Sequence, residues 1–381
     1  MHIAFLTPEY PHSKTPNSGG LGTSIKNLAA ALVKKDAKVS VFVYGQKSNE
    51  VIDDNGIKVH LIQQKKYAFA TWFFYRKHLQ NYLQNVIDKE NIDIIEAPDW
   101  TGISAFMKFN IPLIIRFHGS DTYFCNLEKR KQKRKNYWFE KIAISNAKAF
   151  IAPTTFAGDL SKQLFHINNN KIETIPYGLE LEKFSNANPE SFDKGLILYI
   201  GTVIRKKGVF ELPHIFKKVR LHHPDAKLLI IGNDAHDIQS ANTSTWELVK
   251  NLFDVNDLNN VDYLGKIPYL KVQEFIKKAN VCIFPTYAET LGMVTIESMA
   301  MHKAVVNSNL GWATELIDDS INGFLVHPSN HDLFASRIIE LLSDEKLNAT
   351  IANNARLKVE ACFDIHKLVQ KNLDFYKKMI S

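Results

Sequence analysis

Short apolar runs alternate with amphipathic segments along the whole chain. The first run, His2–Thr7, is followed by a loop rich in proline, glycine and serine at Pro8–Gly22, by a helical pattern over about Thr23–Lys35 and by a second run at Val39–Tyr44. Strand, glycine-rich loop, helix and strand in this order are typical of a βαβ unit in a parallel sheet. The later runs that predict strands in this half are Val59–Ile62, Ile92–Glu96, Pro112–Phe117 and Ala149–Ala152. All are short and rich in Ile and Val, as expected of strands covered on both faces.

The same alternation begins again in the second half of the chain. Leu196–Gly201 predicts a strand, Gly208–His222 a helix and Lys227–Ile231 the next strand. The further predicted strands are Val261–Leu264, Val281–Phe284, Ala304–Asn307 and Gly323–Val326. The two halves therefore share an architecture, although no repeat is visible in their sequences.

The chain divides at Tyr177–Lys194, which is rich in Asn, Pro, Glu and Ser, has little strand signal and indicates a linker. We predict an α/β protein of two Rossmann-like, doubly wound parallel-sheet domains, residues 1–185 and 195–362, facing each other across a ligand cleft. The remaining stretch, residues 363–381, has a helical pattern with no strand after it. Whether this helix packs back across the domain junction is left open by the sequence.

Composition and charge agree with two ordinary globular domains. The 381 residues are 45% hydrophobic and 23% charged, and the formal net charge is +7. This excess is compatible with an anionic ligand, an anionic membrane surface or nucleic acid, and it selects none of them. Three scattered cysteines form no disulfide framework or zinc motif and favour a reducing compartment. Without a signal-peptide pattern or a membrane-spanning apolar run, a cytoplasmic protein is expected.

Two loops at strand ends carry residues suited to phosphate. Gly20 and Gly22 stand between the first strand and the first helix, where the backbone can approach a ligand and helix N–H groups can meet an anion. Arg205 and Lys207 follow the strand Leu196–Gly201, and such cations suit a diphosphate. A flexible turn and a solvated basic turn are the alternatives. Neither loop has the dinucleotide fingerprint or the P-loop spacing.

The most informative stretch is Phe284–Glu297. A strand ends at Pro285, a loop contains Glu289, and a helix is predicted to begin near Met293. Glu289 and the following backbone N–H groups can face one ligand, and the carboxylate of Glu297 lies two turns further on. Carboxylates suit the paired hydroxyls of sugars because each has two acceptor oxygens. A charge on an ordinary helix surface is the alternative for Glu297.

Further candidate residues follow two strands of the first half. His118 comes directly after the predicted strand Pro112–Phe117, at the strand end where ligands bind in such folds. Asp99 and Trp100 follow Glu96 at another strand end and can line the same crevice. A structural or surface role is the alternative for a single histidine.

Together these residues make the chain resemble a retaining glycosyltransferase of family 4, with the two-domain GT-B fold. The most specific element is a pair of glutamates separated by seven residues, Glu289 and Glu297. The context that completes the resemblance lies in residues 261–265, 297–300, 311–315 and 322–326. The chain departs from many relatives at Thr202, where an arginine is common, so either Arg205 supplies that phosphate contact or the contact is missing.

The resemblance implies a site for a nucleotide-diphosphate sugar. Glu297 would hold the ribose hydroxyls and Glu289 the donor-sugar hydroxyls, while His118 would lie beside the donor sugar and the acceptor. The catalytic residues implied are His118, Glu289, Arg205 and Lys207. The donor-binding residues implied are Gly20, Gly22, Arg205, Lys207, Tyr263, Leu264, Gly265, Glu289, Leu291, Gly292, Met293, Val294 and Glu297. The acceptor-binding residues implied are Asp99, Trp100, His118 and Asp121.

Metal dependence can be examined in the sequence. Asp-x-Asp, the ligand pair for a metal-bound diphosphate in the other major glycosyltransferase fold, is absent from all 381 residues. Because cations are available to a diphosphate instead, we expect no metal and no cofactor besides the nucleotide sugar as co-substrate.

Two segments combine cations with aromatic residues. The first is Lys65–Lys77, which begins a predicted helix. One apolar stripe of this helix predicts ordinary core packing, and Phe73 and Phe74 lie off that stripe. The stripe consists of Trp72, Tyr75, Leu79, Tyr82, Leu83 and Val86. Lys129–Lys135 contains six cations in seven residues. Peripheral contact with an anionic membrane would explain both segments, and a solvated helix face is the alternative.

We predict a retaining, metal-independent hexosyltransferase that uses a nucleotide-diphosphate sugar and a glycan or lipid-linked acceptor, in bacterial surface polysaccharide or glycolipid assembly. The alternative is a nicotinamide-dependent oxidoreductase. It is disfavoured by the missing third glycine and by the lack of an acidic residue placed for a ribose after Val39–Tyr44. A nucleic-acid-binding protein would rest on residues 129–135 alone, and no nucleic-acid partner is expected.

Overall fold

The computed structural model describes residues 1–16, 18–167 and 172–381. Asn17, which belongs to the predicted Pro8–Gly22 loop, lies outside the described residues. The chain forms two compact units. The first consists of Met1–Glu180 and Asp364–Ser381, and the second of Leu181–Phe363.

The first unit is built on an eight-stranded sheet. Its strands are β1 (His2–Thr7), β2 (Lys38–Gln46), β3 (Glu50–Asp54), β4 (Ile57–Gln63), β5 (Ile94–Pro98), β6 (Leu113–Arg116), β7 (Ala149–Ala152) and β8 (Ile172–Thr174). Its helices up to residue 180 are α1 (Gly20–Val33), α2 (Thr71–Glu90), α3 (Asp121–Leu127), α4 (Arg134–Ser145) and α5 (Thr155–Phe165). The strand order is β3-β4-β2-β1-β5-β6-β7-β8, and every neighbouring pair is parallel except β3 and β4.

Strand β1 shows why the apolar runs fold in this way. All six of its residues are buried. Ile3 and Phe5 belong to the core on one face of the sheet, and Ala4 and Leu6 to the core on the other face. Because successive side chains of a strand point to opposite faces, a continuous apolar run supplies both cores at once.

The second unit contains a six-stranded, fully parallel sheet. Its strands are β9 (Leu196–Ile200), β10 (Lys227–Ile231), β11 (Val261–Tyr263), β12 (Val281–Phe284), β13 (Ala304–Ser308) and β14 (Phe324–Val326). Its helices are α6 (Leu212–Arg220), α7 (Thr245–Lys250), α8 (Val255–Leu258), α9 (Tyr269–Lys278), α10 (Met293–Ala300), α11 (His331–Ser343) and α12 (Glu345–Cys362). The strand order is β11-β10-β9-β12-β13-β14, the doubly wound arrangement.

The C-terminal helix α13 (Ile365–Ile380) belongs to the first unit and packs against α1. It also completes a buried polar network under the sheet. The Arg116 guanidinium donates to both carboxylate oxygens of Glu96, at 2.7 and 3.0 Å, and to Asn372 of α13 at 2.6 Å. The Tyr376 hydroxyl of the same helix donates to Glu96 at 2.6 Å. These hydrogen bonds satisfy an ion pair that would be costly to bury with fewer partners.

The helix that contains the predicted aromatic stripe is α2, and one member of the stripe is misplaced. Tyr75, Leu79 and Leu83 are buried as predicted. Trp72 was predicted to be core and is 40% exposed. It lies in the first turn of α2, where its ring packs 5.0 Å from the ring of Phe139 on α4 and not under the helix.

Candidate active site

The strand order of the second unit reverses between β9 and β12. Strands β9 and β12 are neighbours, and their carboxyl ends carry the loops that contain Lys207 and Glu289. In open α/β sheets, this switch point is where ligands bind. The two loops touch, because the Tyr287 N–H donates to the Lys206 carbonyl at 2.8 Å. Gly208, with a φ of +71°, permits this approach, since a Cβ there would lie 1.7 Å from the Pro285 carbonyl oxygen.

Lys207 and Glu289 form an ion pair between these two loops. The Lys207 ammonium donates to Glu289 Oε1. Burial alone would raise the pKa of the Glu289 carboxyl, but the ammonium holds that pKa below its usual value. The structure therefore brings together the residues predicted to hold the diphosphate and the donor sugar, and it keeps the carboxylate ionised.

Arg205 is also paired with a carboxylate, from a residue that the sequence analysis missed. Its Nε donates to Asp237 Oδ1 at 3.0 Å and its Nη2 to Oδ2 at 2.8 Å. The guanidinium also lies 4.1 Å from the centre of the Phe210 ring. The Arg205 bonds hold the pKa of the buried Asp237 carboxyl far below its usual range. Asp237 lies shortly after the end of β10. Its place beyond a strand end is the sequence feature that indicates a candidate site residue.

Glu297 lies on α10 and is 7% exposed, so it is not the surface charge that was the alternative. Its Oε1 accepts a hydrogen bond from the Tyr269 hydroxyl at 2.6 Å. Burial raises the pKa of the Glu297 carboxyl to about 7, although the Tyr269 hydrogen bond acts in the other direction. Tyr269 begins α9, and nothing in the sequence pattern distinguished it.

The other predicted donor residues of this unit lie at the start of α10 and at the end of β11. Gly292, with a φ of +95°, precedes α10, whose amino terminus has no side-chain cap among the described residues. The N–H groups at such a terminus suit an anion. At the end of β11, the Tyr263 ring packs 4.5 Å from the Trp246 ring, and Leu264 is exposed. Leu291 and Met293 are the chain neighbours of Gly292. Val294 follows Met293 in α10, and Gly265 follows Leu264 after β11.

The glycine-rich loop of the first unit is already occupied by a carboxylate. α1 begins at Gly20, inside the stretch predicted to be loop. The Glu9 carboxylate accepts from the Gly19 N–H at 3.0 Å and from the Gly22 N–H at 2.9 Å. A Cβ on Gly22 would lie 2.8 Å from the Glu9 carbonyl oxygen, so only glycine fits there. The N–H group of Gly22, one of the two predicted glycines, thus has an acidic partner within the protein.

His118 and Asp99 meet in the first unit, at the carboxyl ends of β6 and β5. The His118 N–H donates to Asp99 Oδ1 at 2.8 Å, and the Oδ2 atom has no hydrogen-bond partner within the described part of the chain. His118 Nδ1 lies 2.8 Å from the Tyr177 hydroxyl, and the two rings stack. Burial lowers the pKa of His118 to about 3 and raises that of Asp99 to about 7. The imidazole is therefore neutral and held at a fixed angle.

The two other predicted acceptor residues differ from each other. Trp100 is exposed at the end of β5, free to meet a ligand. Asp121 begins α3, and its carboxylate accepts from Asn136 at 3.0 Å and from Arg130 at 3.2 Å. Because these bonds tie α3 to the basic segment, the geometry favours a structural role for Asp121 over the predicted role in acceptor binding.

The two basic and aromatic segments meet in the first unit, where Lys135 and Phe139 of α4 contact Trp72 of α2. We call this region the basic–aromatic surface and define it as Phe69, Trp72, Phe73, Phe106, Lys129, Lys131, Lys133, Arg134, Lys135, Trp138 and Phe139. Phe73 packs on Trp72, Phe74 and Phe106 with ring centres 5.5–5.8 Å apart. The Lys135 ammonium lies over the rings of Trp72 and Phe139. Phe69 and Trp138 are 72% and 59% exposed.

The described part of the chain comprises residues 1–16, 18–167 and 172–381. These residues contain no cluster of three His, Cys, Asp or Glu side chains that could hold a metal ion. Within the same part of the chain, no helix combines the length and apolar character needed to cross a bilayer.

Comparison with known proteins agrees with this geometry. A family model described as glycosyl transferases group 1 matches residues 181–358, and one described as glycosyltransferase family 4 matches residues 18–183. A glycosyltransferase of Methanocaldococcus jannaschii is 24% identical over 99% of this chain and 98% of its own length. The capsular polysaccharide biosynthesis glycosyltransferase CapM of Staphylococcus aureus is 29% identical over 60% of each chain.

A solved structure shares the fold over nearly the whole length. Anabaena HepE in complex with UDP-glucose superimposes with a TM-score of 0.73 at 18% identity, covering 99% of this chain and 100% of that one. These matches give no support to the nicotinamide-dependent oxidoreductase that was the alternative. With two family models that together span residues 18–358, the chain belongs to the family 4 glycosyltransferases, which have the GT-B fold and act on sugar donors.

Proposed function

We propose that this glycosyltransferase is retaining and metal-independent, and that it moves a hexosyl group from a nucleotide-diphosphate sugar to a glycan or lipid-linked acceptor. The observation that carries the proposal is the Lys207–Glu289 ion pair at the switch point between β9 and β12, with the buried Glu297 two turns away. This arrangement provides a cation for a diphosphate and two carboxylates for hydroxyl pairs.

Charge stabilisation without a metal rests on this chain's own groups. The bond from the anomeric carbon to the diphosphate breaks, and the acceptor oxygen bonds to that carbon on the same face. The acceptor's proton passes to the departing diphosphate. The growing negative charge is met by the Lys207 ammonium and the uncapped amino terminus of α10, both already in place. Arg205 can add a second cation if a phosphate draws it from Asp237.

Glu297 would bind the ribose of the nucleotide, and His118 would bind sugar hydroxyls. The buried Glu297 carboxylate offers acceptor oxygens to the ribose hydroxyls. The neutral His118 ring, held by Tyr177, can exchange hydrogen bonds with sugar hydroxyls without carrying a charge. Both roles are consistent with the resemblance to the family.

A first experiment tests the chemistry. The unfolding temperature of the protein is measured with UDP-, GDP-, ADP- and dTDP-sugars. A ligand that binds only the native state stabilises the protein by mass action and raises this temperature. With the donor so identified, the anomeric configuration of the product is read by NMR with and without EDTA. We expect retention and unchanged turnover in EDTA. Inversion, or a loss of turnover that Mg²⁺ restores, would contradict the mechanism.

For the acceptor, we propose assembly of a surface polysaccharide or glycolipid at the inner face of the cell membrane. The name of the relative CapM and the basic–aromatic surface support this setting. Each Lys or Arg near an anionic membrane contributes about 1 kcal/mol, and exposed aromatic rings favour the interface. Arg130 contributes least, because it is tied to Asp121 and Glu128.

Co-sedimentation with phosphatidylglycerol vesicles tests this membrane contact. Wild type should pellet at low salt and be released at high salt, since surface charges are screened within a Debye length. A variant with Lys129, Lys133, Arg134 and Lys135 changed to Ser should stay in the supernatant. The matched control changes four lysines of the other unit: Lys217, Lys218, Lys250 and Lys271. If the first variant pellets like wild type, the surface is merely solvated and the acceptor is better sought among soluble glycans.

A further inference from the structure

The second unit contains a pocket at the edge of its sheet opposite the candidate active site. Its volume is about 870 Å³, within the range of small-molecule sites. It is lined by Asn280 and Lys303, which directly precede β12 and β13, and by Lys194, two residues before β9. Because the sheet is fully parallel, these positions lie at its amino edge. The candidate active site, with Glu289 and Lys207, occupies the carboxyl edge.

Lys303 is the unusual residue of this pocket. Its side chain is 2% exposed, and its Nζ has no hydrogen-bond partner among the residues that the structure describes. The ammonium lies 5.5 Å from the centre of the Phe192 ring, which covers it. The titratable groups that face it are the Cys282 thiol and the Asp193 carboxylate, and neither forms a hydrogen bond with it. A buried cation without a bonded partner is strongly unfavourable, so this position favours an anion.

The rim of the pocket adds one more available cation. Lys194 is paired with Glu345 at 2.6 Å, whereas Lys346, next in the first turn of α12, is exposed beside the opening. Glu190 is the other carboxylate of the lining. Lys303 at the bottom and Lys346 at the rim therefore suit a doubly charged group better than a monocarboxylate.

Phe192 is the aromatic side chain that lies against the buried ammonium. It belongs to residues 184–195, which contain no helix or strand in the structure, so its ring can turn without disturbing a regular element. The backbone beside it is anchored, because the Asp193 N–H donates to the Lys278 carbonyl at 2.8 Å. A rotation of the ring alone would open Lys303 to the pocket.

We propose that this pocket binds a small phosphorylated anion, whose phosphate group pairs with the Lys303 ammonium once the Phe192 ring has turned aside. The site is separate from the donor site and is built from different strand ends. It does not depend on the proposed transfer reaction, because no group of the candidate active site takes part.

Thermal unfolding of the full chain in phosphate tests the proposal. Inorganic phosphate is compared with chloride at equal ionic strength, and a hexose 6-phosphate is used in a second series to distinguish free phosphate from a phosphorylated metabolite. Wild type should unfold at a higher temperature in phosphate, by mass action. Lys303→Met should unfold at a higher temperature than wild type in chloride, since a buried charge is gone, and phosphate should raise its unfolding temperature clearly less than that of wild type.

Further variants identify the site at which phosphate stabilises the protein. In Lys207→Ala, which lacks the cation of the candidate donor site, the part of the phosphate response that depends on Lys303 should remain, and the double variant Lys207→Ala/Lys303→Met should show none. Lys346→Ser should respond more weakly, and Phe192→Ala at least as strongly as wild type. An undiminished response in Lys303→Met, or a response lost completely in Lys207→Ala, would overturn the proposal, as would the absence of any response in wild type. No nucleotide sugar is used, so these outcomes are independent of the transferase assay.

Discussion

Changing Glu297 to Gln should weaken nucleotide binding and stabilise the fold, a combination that a purely structural residue would not give. The substitution keeps the size of the side chain and an oxygen that can accept from Tyr269, and it removes the charge. Burial raises the pKa of this carboxyl from 4.5 to about 7, a difference of about 2.5. At 1.36 kcal/mol for each pKa unit, this difference corresponds to roughly 3 kcal/mol.

The sign follows from the direction of the shift. Because the folded-state pKa lies above the unfolded one, protonation of Glu297 favours the fold. This contribution is fully present below a pH of about 4.5 and is lost as the pH rises through about 7. The free energy of unfolding of Glu297→Gln should therefore match that of wild type near pH 4.5 and exceed it by about 2–3 kcal/mol at pH 8.

Binding should change in the opposite sense. If the ionised carboxylate holds the ribose, wild type should bind the nucleoside diphosphate about tenfold more tightly at pH 8 than at pH 6, as the carboxyl ionises. Glu297→Gln should lose this pH dependence and roughly 1.5–3 kcal/mol of affinity, the value of a hydrogen bond to a charged group. Tyr269→Phe should move the midpoint of the binding curve to higher pH, because its hydrogen bond lowers the pKa of Glu297.

Urea unfolding and calorimetric titration with the nucleoside diphosphate, each at pH 4.5, 6 and 8, measure both effects. Asp262→Asn is the matched control, since it neutralises an exposed carboxylate on β11 and should change neither quantity. Unchanged affinity in Glu297→Gln would refute the ribose role. Reduced stability at pH 8 would refute the assignment of the shift to burial of a charge.

Three further outcomes are expected. Lys207→Ala should lower kcat by a factor on the order of 10²–10³, as the loss of one preorganised donor to developing charge does, with circular dichroism unchanged. Asp237→Asn should raise the KM for the donor roughly threefold to tenfold, because Arg205 loses its fixed orientation, and Asp237→Glu should restore part of the loss. Tyr376→Phe should lower the free energy of unfolding by about 1–3 kcal/mol, since a buried carboxylate loses a donor, and leave donor kinetics unchanged.

Most strands could be predicted from the sequence because parallel strands buried on both faces are continuous apolar runs. Ala149–Ala152 and Lys227–Ile231 have the predicted bounds in the structure. Strand β3, Glu50–Asp54, was missed because it is the antiparallel edge strand, where partly exposed acidic residues interrupt the apolar pattern. Helix α6 begins at Leu212 and not at the predicted Gly208, because Gly208 is used for the close approach to Pro285.

The residues of the candidate site also differ in whether the sequence could predict them. Glu289 and Glu297 could be found because their spacing is local and repeats a family motif. Asp237 and Tyr269 were missed, because each meets its partner only through tertiary packing. Asp237 is 32 residues from Arg205 in the chain, and Tyr269 is 28 residues from Glu297. A motif identifies groups that meet a ligand, whereas the groups that hold them in place are selected by tertiary packing.

These partners explain how a site for a polyanion can keep its cations in place before the ligand arrives. Unpaired, Lys207 and Arg205 would repel one another and sample many rotamers. Paired with Glu289 and Asp237, each is held in one orientation while its charge is locally balanced. A diphosphate that draws Lys207 away from Glu289 also frees that carboxylate for the donor sugar's hydroxyls. Under the proposed function, binding of the two ends of the donor is therefore coupled through one ion pair, and a sugar nucleotide should gain more from the site than a nucleoside diphosphate and a free sugar bound separately.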